Sequence, residues 1–502
     1  MVMFNSEVSL KISRVFSVLV AGCRFHSVKN RSQQTQEAVL PYVVSVSNYK
    51  RFGTHICDIC SNGRMSASKM TEHNYFKFTD YDWIGFDLDN TLCKYNVENM
   101  MKMEYDVLSR FLVDCKSYPE KHLFKPVDDD FNYIRKGVMI DFDKGNVLQI
   151  GKGGKVLRAC HGTRMLTNNE IIKYYGQDRM WKLAGEFYED ILGAWNGPLS
   201  LKLRTVLDSF DMPASLAFAR IIDTLDEKEG RELDKYNVWP DVLDGLYFMY
   251  QREHFSTDTG GYFPSMKSAP EQYIYRCSDN VTSWLKSLKK QARTFLLTGS
   301  NVDFASFVAR NSLGEMWVEF FDVVVCFARK PGFFTASREF VATEDGKETV
   351  SVTVNDLQLN KVYSQGNWKE LRQVFSKTVG KQNPRCLYVG DNLIQDIYVP
   401  SKYVDLDTVA VVDNMLEEEQ QVSVDSSRSG VSSSRPWASY FGCESHGISI
   451  WSDIICKHSK ICVPSIDVLA NRPVDYLWTS FRFKDRNCRE HGFHPVAPII
   501  FR

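Results

Sequence analysis

The chain has no apolar run approaching the 18 or more residues that a membrane-spanning helix needs. Val15 to Cys23 is the longest candidate near the start, and Ser17 breaks it. A membrane partner is therefore not expected. The chain also lacks an excess of either charge, since 61 Lys and Arg stand against 62 Asp and Glu. That balance removes the overall basicity that a phosphate backbone would attract, and no basic stripe interleaved with aromatics appears, so nucleic acid is not an expected partner either. Paired cysteines are missing too. Thirteen cysteines are scattered singly, with Cys57 and Cys60 alone in C-x-x-C spacing, which is the pattern of reduced intracellular thiols rather than of a disulfide framework. Acids are scarce in one place. The first 36 residues carry Lys11, Arg14, Arg24, Lys29 and Arg31 but a single acid, Glu7. This is the charge bias of a mitochondrial transit peptide; the other readings are a dispensable, disordered extension and a short secretory apolar region at Val15 to Gly22. The expected location is the cytoplasm, with the mitochondrion as the alternative.

What is present is a large core. A 44% hydrophobic and 13% aromatic composition over 502 residues suits a globular protein of about three domains. Residues 1–76 show no sustained period and are expected to be an extension with little fixed structure. The core is expected to comprise residues 77–99 and 282–415, interrupted by a cap domain at 100–281. Within the cap, Gly137 to Phe142, Gly145 to Ile150 and Lys155 to Cys160 alternate about Lys144-Gly145 and Gly153-Gly154, as hairpin strands do. From Val281 a β–α rhythm sets in: helical spacing at Trp284, Leu285 and Leu288, a strand at Thr294 to Leu297, then helical spacing at Phe304, Phe307 and Val308. Further apolar runs at Asp322 to Cys326, Cys386 to Val389 and Thr408 to Val412 are those of parallel strands buried on both faces. The predicted fold is α/β, a doubly wound and mostly parallel sheet with a large α+β cap inserted after its first strand. Residues 416–436 are expected to be a linker, with 7 serines in the 14 residues from Ser423 to Pro436. The run Glu417-Glu418-Glu419 reads as a solvated helix end. The aromatic-rich segment 437–502 is expected to pack back on the core.

The chemistry is concentrated at the predicted strand ends. Asp87-Leu88-Asp89-Asn90-Thr91-Leu92 places two carboxylates one residue apart directly after the apolar run Trp83-Ile84-Gly85-Phe86. Open α/β sheets bind ligands at the carboxyl ends of their strands. There, one carboxylate can attack phosphorus while the other handles a proton. Taken alone, such a pair is more often a solvated turn or a helix cap. Three more strand ends follow in order: Thr298-Gly299-Ser300, then Lys330 in Ala328-Arg329-Lys330-Pro331-Gly332, then Gly390-Asp391 with Asp396. A phosphate dianion approaching a carboxylate needs its charge neutralised, which a divalent cation and a fixed lysine can do. Asp391 and Asp396 would help hold Mg²⁺, which prefers oxygen ligands and keeps some of its waters.

These segments resemble the motifs of haloacid-dehalogenase-like phosphohydrolases, and the surrounding sequence resembles the cytosolic purine 5′-nucleotidase family. The resemblance is carried by Gly85 to Leu92, Ala159-Cys160-His161-Gly162-Thr163, Lys330-Pro331-Gly332-Phe333-Phe334, Tyr363-Ser364-Gln365-Gly366-Asn367 and Tyr388-Val389-Gly390-Asp391 with Asp396. It runs from about Phe78 to Val463-Pro464-Ser465-Ile466. It implies a Mg²⁺-dependent phosphomonoesterase acting on nucleoside 5′-monophosphates, with Asp87 as the nucleophile that forms an aspartyl-phosphate. Asp89 would protonate the leaving oxygen and later activate water. Thr298, Gly299 and Ser300 would bind the phosphoryl oxygens, Lys330 would offset their charge, and His161 would contact substrate from the cap. The metal would be held by Asp87, the backbone carbonyl of Asp89, and Asp391, with Asp396 close by. The partner implied is a small phosphate ester, and a homo-oligomer is compatible with the sequence.

Two departures bear on substrate. The family carries an aromatic residue after the His-Gly of the cap, which stacks on the base, whereas this chain has Thr163 and Arg164. Its second motif usually reads Thr-Asn-Ser, and Gly299 here replaces the Asn. The alternatives are therefore a phosphatase of a non-nucleotide metabolite, or a weakly active or silent protein of the same fold with a regulatory or binding role. Cys57 and Cys60 with His55, and Cys456-x-His458-x-x-x-Cys462, supply zinc-ligand types without regular finger spacing.

Overall fold

The computed structural model describes residues 75–416, 437–443, 445–481 and 489–502. The readings made for residues 1–74, including the transit-peptide bias and the His55, Cys57 and Cys60 cluster, lie outside the described residues. So do the acidic run at 417–419 and the serine-rich segment.

Along the chain, β1 (Tyr75–Phe76) precedes β2 (Trp83–Phe86), and α1 (Val97–Lys116) follows the loop that carries the paired carboxylates. Next come β3 (Val138–Asp141), β4 (Asn146–Ile150), β5 (Val156–His161), β6 (Arg164–Met165) and β7 (Leu203–Val206). Helices α2 (Met212–Glu229), α3 (Trp239–Met249) and α4 (Asp279–Lys289) lead to β8 (Arg293–Leu297) and α5 (Val302–Leu313). The second half contains β9 (Val323–Cys326), β10 (Phe340–Glu344), β11 (Lys347–Val352), β12 (Lys361–Gln365), α6 (Trp368–Val379), β13 (Cys386–Gly390) and β14 (Asp407–Val411). Short strands β15 (Gly442–Cys443) and β16 (Gly447–Ile448), helix α7 (Ile450–His458), β17 (Ile461–Val463) and β18 (Trp478–Thr479) complete the ordered pattern.

Nine strands form one sheet in the order β11-β10-β12-β9-β8-β2-β13-β14-β17. The seven from β12 to β17 run parallel, and the β10–β11 hairpin adds an antiparallel edge. The central strands β2, β8, β9, β13 and β14 are largely apolar and buried, and each face of the sheet is covered by helices, as a parallel sheet requires. Leu296, Val324, Leu387 and Val409 pack with Trp284 of α4 and Phe304 of α5. Phe295, Val325, Tyr388 and Ala410 pack with Trp368 and Phe375 of α6. This is the doubly wound α/β architecture. At its centre, Trp83 stacks on Phe375 with ring centroids 3.8 Å apart. Gly85 is required there, because a Cβ would lie 2.1 Å from the Phe295 ring.

A separate antiparallel sheet, β6-β5-β4-β3-β7, is built wholly from chain lying between β2 and β8. Its strands β3, β4 and β5 are the alternating segments legible in the sequence. The chain leaves the core and returns to it side by side: Tyr95 bridges Ile274, the Tyr275 N–H donates to the Lys94 carbonyl and the Asn96 N–H to that of Tyr273.

Two details correct the sequence reading. Tyr75 and Phe76, assigned there to the extension, form a strand paired with β18, and Phe76 is buried. The C-terminal segment does more than pack on the core, since β17 hydrogen-bonds to β14 as the last strand of the large sheet. A buried apolar Ile-Cys-Val triplet is too short to announce itself as a strand by period. Among the described residues, no helix is long and apolar enough to cross a membrane.

Candidate active site

Four parallel strands, β2, β8, β9 and β13, end at one place. The Asp87 N–H donates to the Val389 carbonyl, so the β2 end is fastened to β13. The Thr298 N–H donates to Val325, which fixes the β8 end against β9. Asp87, Asp89, Gly299, Lys330, Asn392, Gln395 and Asp396 line a shared cavity, together with Asp208 from the segment after β7.

Lys330 is the hub. Its Nζ lies 2.6 Å from Asp396 Oδ1, 2.9 Å from Asp87 Oδ1 and 3.0 Å from the Tyr388 hydroxyl. The Tyr388 hydroxyl in turn donates to the Leu297 carbonyl. All three charged groups are buried. Burial works against the Lys330 charge, but Asp396 and Asp87 hold its affinity for a proton above the ordinary lysine value. Asp396 is further fixed by the Asn392 N–H, 3.1 Å from Oδ2, while Asn392 Oδ1 caps the N–H groups of Ile394 and Gln395.

Asp89 is held from two sides. Ser300 Oγ donates to its Oδ2 at 2.6 Å, with Thr298 Oγ1 at 3.4 Å, and the Tyr95 hydroxyl donates to Oδ1 at 2.6 Å. Asp391 accepts from Thr91 Oγ1. Between these two acids, Asn90 takes a left-handed backbone conformation, φ +56°, and its Nδ2 donates to Asp208 Oδ1 at 3.2 Å. Asparagine tolerates that conformation better than most residues.

The site is short of positive charge. Burial pushes the Asp87 carboxyl up to about 7, opposed by Lys330 and assisted by Asp396 and Asp89. Asp391 is pushed well above the usual carboxylate range by burial and by Asp208, Asp87 and Asp396, with Lys136 opposing. Asp87, Asp391 and Asp396 each offer an oxygen within 4.8 Å of the others, a group able to hold a metal ion. Asp87 Oδ1, although close to Lys330, has no aligned hydrogen bond. Three convergent carboxylates and a surplus of acid fit a hard divalent cation such as Mg²⁺.

Most of the residues singled out in the sequence are thus brought together. Thr298 and Ser300 are fully buried and face Asp89, while Gly299 lines the cavity. His161 is set apart. Its Nδ1 is 2.8 Å from Asn146 Oδ1 and its Nε2 2.8 Å from Asp226 Oδ2, so both ring nitrogens are engaged within the cap, and it is not among the cavity residues. Thr163 caps onto Asp223, and Arg164 pairs with Glu170 and Glu232. His458 and Cys462 diverge: His458 Nδ1 lies 3.3 Å from Ser401 Oγ, and Cys462 meets Met415. The sequence reading missed Tyr95, Asp208, Asn392 and Gln395. Asp208 accepts the Phe210 N–H as an ordinary cap does, so its type and position carried no separate signal.

The sequence profile of the 5′ nucleotidase family matches residues 73–435. The chain belongs to the 5′ nucleotidase family. It is a hydrolase of that family. It is 31% identical to 5′-nucleotidase domain-containing protein 1 of Bos taurus over 86% of this chain and 98% of that protein. For the Homo sapiens protein of that name the identity is 30% over the same shares. It is 24% identical to 5′-nucleotidase domain-containing protein 2 of Rattus norvegicus, over 68% of this chain and 58% of that one. Among solved structures, an archaeal β-phosphoglucomutase from a Pyrococcus strain aligns over 66% of this chain and 86% of its own, at 12% identity and a TM-score of 0.26. A HAD-hydrolase of Bacillus subtilis, described as bound to magnesium, aligns over 68% and 98% at 14% identity and a TM-score of 0.23.

Proposed function

We propose that this family member hydrolyses nucleoside 5′-monophosphates, with Asp87 as the nucleophile and Asp89 as the acid and base. The observation that carries the reading is the buried bridge Asp87–Lys330–Asp396, which faces a cavity that Asp89 also lines. An Asp87 oxygen attacks phosphorus, the bond from phosphorus to the ester oxygen breaks, and that oxygen takes a proton from Asp89. Water then attacks the phosphorus of the aspartyl-phosphate and passes a proton to Asp89, and the bond to Asp87 breaks to release inorganic phosphate. Lys330 offsets the phosphoryl charge, and the Thr298 and Ser300 hydroxyls, which meet Asp89 Oδ2, are the side-chain donors that would bind the phosphoryl oxygens. Asp87, Asp391 and Asp396, with the Asp89 carbonyl, are the groups that would hold Mg²⁺. An ion bound there would add positive charge to that of Lys330 among the five carboxylates.

One observation favours a second substrate class. Where the resemblance expects an aromatic to stack on the base, Thr163 and Arg164 are tied to Asp223, Glu170 and Glu232. A non-nucleotide phosphate ester would need no such ring. Phosphate release from nucleoside 5′-monophosphates and from sugar phosphates, with Mg²⁺ and beside folded Asp87→Asn, separates the readings. Nucleotide turnover lost in the variant supports the first, and turnover confined to sugar phosphates supports the second. No turnover across the panel by folded, metal-loaded protein would leave a binding role for the site.

A further inference from the structure

The general acid in that scheme must do more than carry a proton. It must present the correct oxygen. A carboxyl group that turns about its own axis aims its proton at the wrong neighbour, and the protein has to prevent this without blocking the cavity. Hydroxyls converge on Asp89 from two different parts of the fold, Ser300 and the more distant Thr298 on one oxygen and Tyr95 on the other. Ser300 belongs to the β8 strand end, within the rigid sheet, and holds Oδ2. Tyr95 belongs to the segment by which the chain leaves the core for the cap, and holds Oδ1 at 2.6 Å.

Tyr95 is itself immobilised by that segment. Its backbone bridges Ile274 on the returning strand, and its neighbours Lys94 and Asn96 hydrogen-bond to Tyr275 and Tyr273. The ring is buried, 5% exposed, and packs edge-on against Phe210, two residues beyond the cavity residue Asp208. The phenol therefore reports on three things at once: the outgoing strand, the returning strand and the cap segment that enters the cavity.

We propose that Tyr95 is a positioning residue that ties the general acid to the segment joining core and cap, its hydroxyl holding Asp89 Oδ1 and so fixing the orientation of the carboxyl group. The claim rests on the reading of Asp89 as general acid. Tyr95 touches neither substrate nor metal in this scheme, and acts only through Asp89.

The test uses the leaving group. An alkyl ester such as a nucleoside 5′-monophosphate needs its departing oxygen protonated, whereas p-nitrophenolate departs unassisted. Single-turnover release of the leaving group is measured for both esters with full-length, Mg²⁺-loaded wild type and Tyr95→Phe, which removes one hydroxyl and keeps the ring. The expected result is a first-turnover rate that falls at least about tenfold further for the alkyl than for the aryl ester, as loss of general-acid assistance requires. Equal losses on the two esters would mark Tyr95 as a packing residue, and no loss on either would remove it from the scheme; both overturn the proposal. Should wild type release neither leaving group, the hydrolytic reading fails, and a crystal structure of Tyr95→Phe decides the positioning claim alone. An Asp89 carboxylate rotated away from its wild-type orientation supports it, and an unmoved one overturns it.

Discussion

A Cβ on Gly390 would lie 2.4 Å from the Cβ of Asp396, so the end of β13 and the carboxylate that anchors Lys330 touch through a position only glycine can fill. The chain turns back on itself between them, capped by Asn392, and that return delivers Asp396 to the cavity. Gly390→Ala is expected to push Asp396 off Lys330. It should cost about 1–3 kcal/mol in stability and lower kcat more than KM. Urea titrations and steady-state kinetics on the purified variant check both.

Lys330 lies between two carboxylates with no exposure to share the charge. Lys330→Met fills the volume but strands two buried acids, which should destabilise the protein by about 3–5 kcal/mol and abolish phosphate release. The loss of stability should shrink as the pH is lowered, because the stranded acids then take up protons. Thermal melts across a pH series test this; a loss of stability that does not depend on pH would show that the bridge is not what Lys330 contributes.

Metal and proton compete for Asp87. Burial first, then the Asp396 and Asp89 charges, push its carboxyl up to about 7 against the pull of Lys330. A cation needs the ionised form, so the Mg²⁺ concentration at half-saturation should rise steadily as the pH falls from about 8 to about 6. Calorimetric Mg²⁺ titrations at several pH values give the slope. Asp391→Asn should weaken binding throughout, and chelation should abolish turnover in a way that added Mg²⁺ reverses.

His458, at the end of α7, adds a pH dependence of stability away from the site. Burial, with the charges of Lys402 and Lys457, pushes its imidazole down to about 4, while its ring packs edge-on against Tyr398. A value depressed below the unfolded one of about 6.5 favours the neutral ring. The stability it contributes is therefore full above that unfolded value and is lost as the pH falls toward about 4. The loss amounts to at most about 3 kcal/mol. His458→Asn should flatten this part of the acid limb in denaturation curves.

The centre of the sheet was legible because β2, β8, β9, β13 and β14 are continuous apolar runs whose residues face both cores, as Phe295, Leu296 and Leu297 do, whereas the polar edge strands β10, β11 and β12 carry no such run. The candidate site was legible for the same reason. Its acids, its lysine and its hydroxyls sit directly at the ends of those runs, so strand prediction and site prediction were one inference. What was not legible comes from elsewhere in the chain. Asp208 follows a short cap strand and looks like a cap residue, and Tyr95 reads as one more aromatic in an aromatic-rich protein. Both matter only because the returning chain at Ile274 and the turn at Asn90 bring them to Asp89 and its loop, contacts that no local period encodes. His161 is a separate case: the resemblance implies substrate contact, and a buried structural histidine reads the same way in the sequence, while in the fold Asn146 and Asp226 engage its two nitrogens.

The covalent role of Asp87 is the centre of the account, and borohydride trapping tests it most directly. Protein turning over a nucleoside 5′-monophosphate with Mg²⁺ is quenched with borohydride, digested and sequenced by mass spectrometry. An aspartyl-phosphate is reduced to homoserine, whereas a free carboxylate is not. The account predicts homoserine at residue 87 that depends on substrate, with Asp89, Asp391 and Asp396 unchanged. Active protein in which residue 87 stays aspartate, or in which the label falls on another acid of the cavity, would contradict it.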